Sequence, residues 1–155
     1  MVKELDQSGR PRQDGRVAQD DLGRLLIEAY RTFDEEARAA LDEQGLSDLR
    51  PSFVTVHAHI DAEGTRVSDL ARRAGLSKQA MTWLIEEMEG QTLLRRVDDP
   101  DDGRARRVLL TAKGRRRLGQ ARRVVDRVEA RVRRRLGERR HDALRAVLGD
   151  LRGAE

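Results

Sequence analysis

The most constraining stretch of this chain is residues 67–110, where two short helical patterns meet at one glycine and two strand-like runs follow at once. Ser68 is the expected N-cap of the first helix and Gly75 its stop. A second helix is expected from Ser77, with Met81, Leu84, Ile85 and Met88 at the i, i+3, i+4, i+7 spacing of one buried face. Two helices that cross at a tight angle need small residues where they touch. Ala71 lets the second helix approach, and Gly75 accepts the left-handed backbone that the turn demands. Leu70, Ala74, Leu76, Met81 and Leu84 are apolar where the pair would share a core. This is the helix-turn-helix pattern, with an ordinary helical hairpin as the competing reading.

The runs Leu93–Val97 and Arg106–Leu110 enclose Asp98–Ala105, which holds Pro100 and Gly103. They read as a hairpin with a charged tip and with Gly103 making the reversal. A helix-turn-helix followed by such a hairpin is a winged arrangement. Its second helix suits a major groove, and its tip suits the neighbouring minor groove.

The flanks read as helices. Residues 1–15 are a polar arm with Gly9, Pro11 and Gly15. From 16 to 43, Leu22, Leu25, Leu26, Ala29, Tyr30, Phe33, Ala37 and Leu41 mark one face of a long helix that Gly45 ends. Pro51 opens a short helix with Phe53, Val56, His57 and Ile60 inward. Thr111 caps a fifth helix whose Leu118, Ala121, Val125, Val128, Val132 and Leu136 form a narrow seam. A last helix carries Leu144, Val147, Leu148 and Leu151. Apolar residues are 37% of the 155, against 39% charged, so the core of a lone copy is thin and the long helices favour burial against a second copy.

Charge is unevenly placed. Residues 1–65 carry 8 basic and 14 acidic side chains, whereas 113–140 carry 13 and 3, a block that suits a polyanion or a solvated helix face. Aromatics at 3% argue against single-strand binding on stacking platforms. With no cysteine, thiolate zinc sites and thiol redox sensing are excluded. No apolar run approaches a membrane span, and the N-terminus is unlike a signal peptide, so a cytoplasmic protein is expected. His57 and His59 stand two apart on a helix and point away from one another, so no metal site is expected, nor any cofactor. No phosphate loop, nucleophile elbow or paired-acid site is present, and no catalytic residue is expected.

The segments "VSDLARRAGLSKQAMTWLIEEME", "LLRRVDDPDDGRARRVLLTAKG" and "LRAVLGDL" resemble the MarR family of bacterial regulators over roughly residues 16–152. The resemblance implies a mostly α fold: a winged helix-turn-helix with a two-stranded wing and a helical dimerisation body. Residues 16–50 would form the first dimerisation helix and connector, 51–111 the DNA-binding lobe, and 112–155 the remaining dimerisation helices. It also implies a homodimeric regulator of transcription on double-stranded operator DNA, usually a repressor relieved by a small ligand. A protein-interaction module that kept the winged fold without DNA binding is the alternative, favoured mildly by Glu86–Glu87.

Expected DNA contacts are Ser68, Arg72, Arg73, Ser77, Lys78, Gln79, Thr82 and Trp83 from the helices, and Asp102, Arg104 and Arg106 from the wing. Gln pairs bidentately with adenine, and Ser or Thr reaches base edges or phosphates. The matching Arg in the family enters the minor groove, and the matching Asp helps hold it, which implies these roles for Arg104 and Asp102. Trp83, where a smaller polar or basic residue is usual, either touches a thymine methyl or packs on the wing or a neighbouring helix. Thr92 stands where the family commonly has Gly, with Gly90 two residues earlier, so a reshaped helix end is expected. Tyr30, Arg50 and His57 are candidates for a pocket that takes a small anionic or aromatic effector.

Overall fold

The computed structural model describes residues 21–153. The polar arm expected at 1–15, and the first turn of the helix expected from 16, lie outside the described residues. The chain divides into two compact units, 1–35 and 36–155, with the boundary inside helix α1 (Leu22–Asp42).

In the first unit, α1 begins behind Asp21. The Asp21 carboxylate accepts the Gly23 N–H at 3.2 Å, and its carbonyl accepts the Leu25 N–H at 3.0 Å. Leu22, Leu25, Leu26, Ile27 and Tyr30 are exposed.

In the second unit, α1 ends with Ala37, Ala40 and Leu41 buried. Gly45 at φ 67° turns the chain, and the Leu46 N–H donates back to the Leu41 carbonyl at 2.9 Å. Pro51 then starts α2 (Pro51–His57). The order continues β1 (Thr65–Arg66), α3 (Val67–Ala74), α4 (Lys78–Gly90), β2 (Leu94–Asp99), β3 (Asp102–Leu110), α5 (Ala112–Leu136) and α6 (Glu138–Gly153). The wing hairpin β2–β3 is present, and β1 joins it to give an antiparallel sheet of order β1-β3-β2. A two-residue strand is too short to alternate visibly, so β1 left no sequence signal.

One core joins these elements. Leu41, Phe53, Val56, Leu70, Met81, Ile85, Met88, Leu93, Val108, Leu118 and Val128 are fully buried. Each stabilises the fold by roughly 1.5–3 kcal/mol relative to exposure. All four residues expected inward on α4 are buried. On α5, Val124 is buried where Val125 was expected, because the seam takes a three-residue step from Ala121 instead of a four-residue step. His141 is the buried residue of α6 among those described, while Leu144, Val147, Leu148 and Leu151 are exposed. Helix α6 is tied to α5 by Arg145 on Glu129 and by Arg133 on Glu138 at 3.5 Å.

Candidate nucleic-acid interface

The turn between α3 and α4 is made as the sequence indicates. Gly75 adopts φ 67°, ψ 33°, and the Leu76 N–H donates to the Ala71 carbonyl at 2.9 Å. Ser77 caps α4, its Oγ accepting the Ala80 N–H at 3.1 Å. Ser68 does not cap α3. Pairing of Thr65 and Arg66 with β3 keeps the backbone extended up to Arg66, which takes the N-cap position, and Ser68 lies exposed in the first turn. Leu76 belongs to the turn and is exposed, so it is no part of the shared core.

Beyond the cap, α4 presents one continuous face. Lys78, Gln79, Thr82, Trp83 and Glu86 line an open cavity of about 580 Å³. The Thr82 hydroxyl donates to the Lys78 carbonyl at 2.8 Å, so toward an outside group it acts as an acceptor. Trp83 is 51% exposed. The Arg50 guanidinium lies 5.0 Å from the centre of its ring, while Arg50 Nε meets Glu87 Oε1 at 2.8 Å. One of the two acidic residues that would repel phosphate is thus neutralised by an arginine.

Arg50 was a candidate for a ligand pocket, and the structure engages it with α4. Of the other two candidates, Tyr30 belongs to the first unit, and His57 is half-buried at the end of α2. Burial first, then the nearby charge of Arg122, pulls the His57 pKa below the ordinary histidine value, which keeps the ring neutral at neutral pH.

The wing differs from the sequence reading in its turn. Strands run to Asp99 and from Asp102, so the reversal is Pro100–Asp101 and Gly103 is already in β3. Pro100 presets one turn dihedral, and the Asp101 N–H donates to Asp99 Oδ1 at 3.0 Å. Arg104 therefore projects from β3 near the turn. It is exposed, and its side chain has no ion pair among the described residues. Asp102 Oδ1 accepts the Arg104 backbone N–H at 3.1 Å, so it fixes the strand rather than the guanidinium. Arg106 pairs with Asp98 at 2.6 Å, both exposed.

The residue that organises the wing was missed. Asp99 is only 2% exposed. Its carboxylate accepts from Arg66 of β1 and from Arg107 of β3, the latter at 2.9 Å. Those two guanidiniums, Arg66 foremost, hold its carboxyl far below the usual carboxylate range, and Asp99 raises the pKa of both arginines. Register supplies the signal that could have found it. Arg107 faces Val97, which makes Asp99 its diagonal neighbour once the turn is placed at Pro100–Asp101. Of the helical arginines, Arg72 pairs weakly with Asp69 at 3.3 Å, whereas Arg73 is held by Asp61 at 2.8 Å and the His59 carbonyl at 3.1 Å.

The wing root is fixed against α5. Thr92 takes φ 58° where a glycine would be unstrained, and the Leu93 N–H reaches back to the Met88 carbonyl at 2.9 Å. Helix α4 thus runs through Gly90 and stops at Thr92 in the left-handed region, which a β-branched side chain rarely adopts. Thr111 caps α5 by accepting the Gly114 N–H at 2.9 Å, and its hydroxyl donates to the Thr92 carbonyl at 2.7 Å. Gly114 packs so closely that a Cβ there would stand 2.0 Å from the Leu93 carbonyl oxygen.

A sequence profile of the MarR family matches residues 50–105. An HTH-type transcriptional repressor of Mycobacterium bovis is 33% identical over 111 residues, 72% of this chain and 78% of that protein. This chain belongs to the MarR family. Solved MarR-like folds superpose well on it. CouR from Rhodococcus jostii, bound to p-coumaroyl-CoA, matches with a TM-score of 0.72 and 26% identity, covering 88% of this chain and 94% of that one. The Mycobacterium tuberculosis regulator MOSR, in complex with DNA, matches with a TM-score of 0.73 and 26% identity, covering 87% and 96%. The MarR fold here includes no helix long and apolar enough to cross a membrane among the described residues.

Proposed function

We propose that this MarR-family chain is a sequence-specific transcriptional repressor that binds a near-palindromic operator as a homodimer and is released by a small organic ligand. The observation that carries the reading is the face of α4, where Lys78, Gln79, Thr82 and Trp83 stand outward on a helix with a buried opposite side. The adjoining wing holds Arg104 exposed and without an ion pair among the described residues. A rigid helix with polar ends suits base edges in the major groove, and an uncommitted arginine suits the negative potential of a narrow minor groove. Ser68, Arg72, Ser77 and Arg106 serve as backbone contacts, with Arg73 less available. Asp102 acts by shaping the strand that bears Arg104.

Relatives support the same reading. One is a repressor, one was crystallised with DNA and one with an acyl-CoA. Dimerisation is supported by α6, whose Leu144, Val147, Leu148 and Leu151 are exposed, and separately by Leu22, Leu25 and Leu26 of the first unit. Residues 51–111 would be the reading lobe, with 16–50 and 112–155 in the dimer body. The effector is a small anionic or aromatic molecule for which His57 in the second unit and, separately, Tyr30 in the first unit are retained as candidates, Arg50 being assigned to the reading face. No catalysis is assigned, and the protein would act in the cytoplasm, beside the chromosome.

Selection of bound duplexes from a random-sequence pool tests this directly. A two-fold site is expected, with half-site centres roughly 34–36 Å apart and an affinity that falls steeply with salt. A pool that stays unenriched, or a single asymmetric half-site of full affinity, would overturn it.

A further inference from the structure

We infer that Trp83 reads a thymine methyl and that Arg50 is its positioning residue; this rests on the DNA-reading function proposed above. Trp83 is the one tryptophan of the chain, and it is half-exposed among polar neighbours. An indole left in water forgoes the largest apolar burial a side chain offers, so its place on the lining of the α4 cavity calls for an apolar partner. In the major groove the apolar group on a base edge is the C5-methyl of thymine.

The ring is also held. Arg50 occupies the N-cap of α2 directly ahead of Pro51, with an extended backbone at φ −104°, ψ 147°. From there its guanidinium covers the indole at 5.0 Å from the ring centre and is itself fixed by Glu87 at 2.8 Å. A cation over a ring face is attracted by the π-electrons, so Arg50 and Glu87 together restrict the rotation of the ring. Gln79 lies one helical turn earlier on the same face. Gln79 suits adenine and Trp83 suits thymine, so the pair reads neighbouring A·T steps. Glu87 has a further mark of constraint: its Oε2 is buried and has no hydrogen-bond partner among the described residues.

The test uses the duplex that the full-length protein selects from a random pool, with each thymine replaced in turn by deoxyuridine, which removes only the methyl. For the parent protein, one thymine position per half-site should lose about three- to fivefold in affinity, the effect of one buried methyl. With Trp83→Ala that loss should vanish, because nothing remains for the methyl to touch. Trp83→Gln repeats the measurement if the alanine variant loses its circular dichroism. Arg50→Ala should at least halve the methyl effect, and Arg50→Lys, which keeps a cation over the ring, should restore most of it. The parent's tryptophan emission should become less quenchable by acrylamide on the selected duplex. A methyl effect unchanged in both Trp83 variants, or no sensitive thymine at all, overturns the assignment of Trp83. A full methyl effect in Arg50→Ala overturns the positioning role. A pool that enriches no sequence brings down the DNA-reading function itself, a result distinct from an enriched site that ignores Trp83.

Discussion

Two glycines inside α5 should respond to the same substitution with opposite signs. Alanine is favoured over glycine in a helix interior by about 1 kcal/mol, so propensity alone predicts that Gly114→Ala and Gly119→Ala both stabilise. Around Gly119 nothing lies within 4 Å of an added Cβ, and Gly119→Ala should gain about 0.5–1 kcal/mol. At Gly114 the added carbon would meet the Leu93 carbonyl oxygen at 2.0 Å, the Leu93 carbonyl carbon at 2.8 Å and its Cα at 3.2 Å. These are backbone atoms and cannot rotate away, so α5 and the wing root must part by about 1 Å to reach the shortest contact that real Cβ atoms tolerate, near 3.0 Å. That retreat stretches the Thr111 N–H to Leu93 carbonyl bond from 3.0 Å to about 4 Å, beyond bonding distance. Losing a partner for a buried carbonyl costs about 1–3 kcal/mol, and overpacking adds about 1–3 kcal/mol. Against a propensity gain of about 1 kcal/mol, Gly114→Ala should destabilise by about 1–5 kcal/mol. Urea unfolding at one fixed protein concentration, followed by circular dichroism, measures both variants on one scale. A thermal midpoint lowered by about 2–20 °C is the equivalent signal for a chain of this size. If Gly114→Ala proves as stable as Gly119→Ala, the close seating of α5 on Leu93 is wrong.

Arg104→Ala should weaken operator binding by about 1–3 kcal/mol and flatten its salt dependence by about one charge, while unfolding stays unchanged; titrations of labelled duplex at several salt concentrations report both. Leu148→Asp with Leu151→Asp should yield monomer or insoluble protein, and sedimentation that still finds a soluble dimer of parental affinity would remove α6 from the interface. For Asp99 the folded pKa is depressed, so its contribution is present above the ordinary carboxylate pKa and is lost as pH falls through the lower folded value. Asp99→Asn should therefore be less stable than the parent by a constant margin from pH 8 to about pH 5, and the margin should shrink below about pH 4. A margin that widens on acidification would refute the paired-carboxylate account.

Most helices were legible because burial imposes a period. Met81, Leu84, Ile85 and Met88 lie inward as spaced, and Gly75, Ser77 and Thr111 punctuate their helices for local reasons that residue type alone reveals. What escaped depends on contacts between segments far apart in the chain. The Ser68 cap failed because β1 pairs with β3, some forty residues later, and holds Arg66 extended. Gly103 attracted the turn because glycine is the usual sign of reversal, but Pro100 and the Asp99 carboxylate settle it three residues earlier. Arg50 looked like a pocket residue because nothing local to it mentions Trp83 or Glu87, more than thirty positions away. Thr92 shows the reverse. A glycine two residues before it suggested a reshaped helix end, yet threonine adopts the left-handed stop itself, held there by Lys113, whose Nζ donates to the Gln91 carbonyl and the Thr92 hydroxyl.

The clasp that Asp99 makes between Arg66 and Arg107 has a consequence for the thermodynamics of recognition. A two-stranded hairpin alone is marginal in water, and a loose one would have to surrender its conformational entropy on meeting DNA. Here the strand that precedes α3 is clamped to the hairpin that follows α4, and Thr111 and Gly114 lock the hairpin's other end. The wing is thus tied within the fold itself to the elements on either side of α4. Calorimetry of operator binding should show little of the heat-capacity excess that accompanies coupled folding, and the affinity of each half-site should be limited by contact quality instead of by ordering.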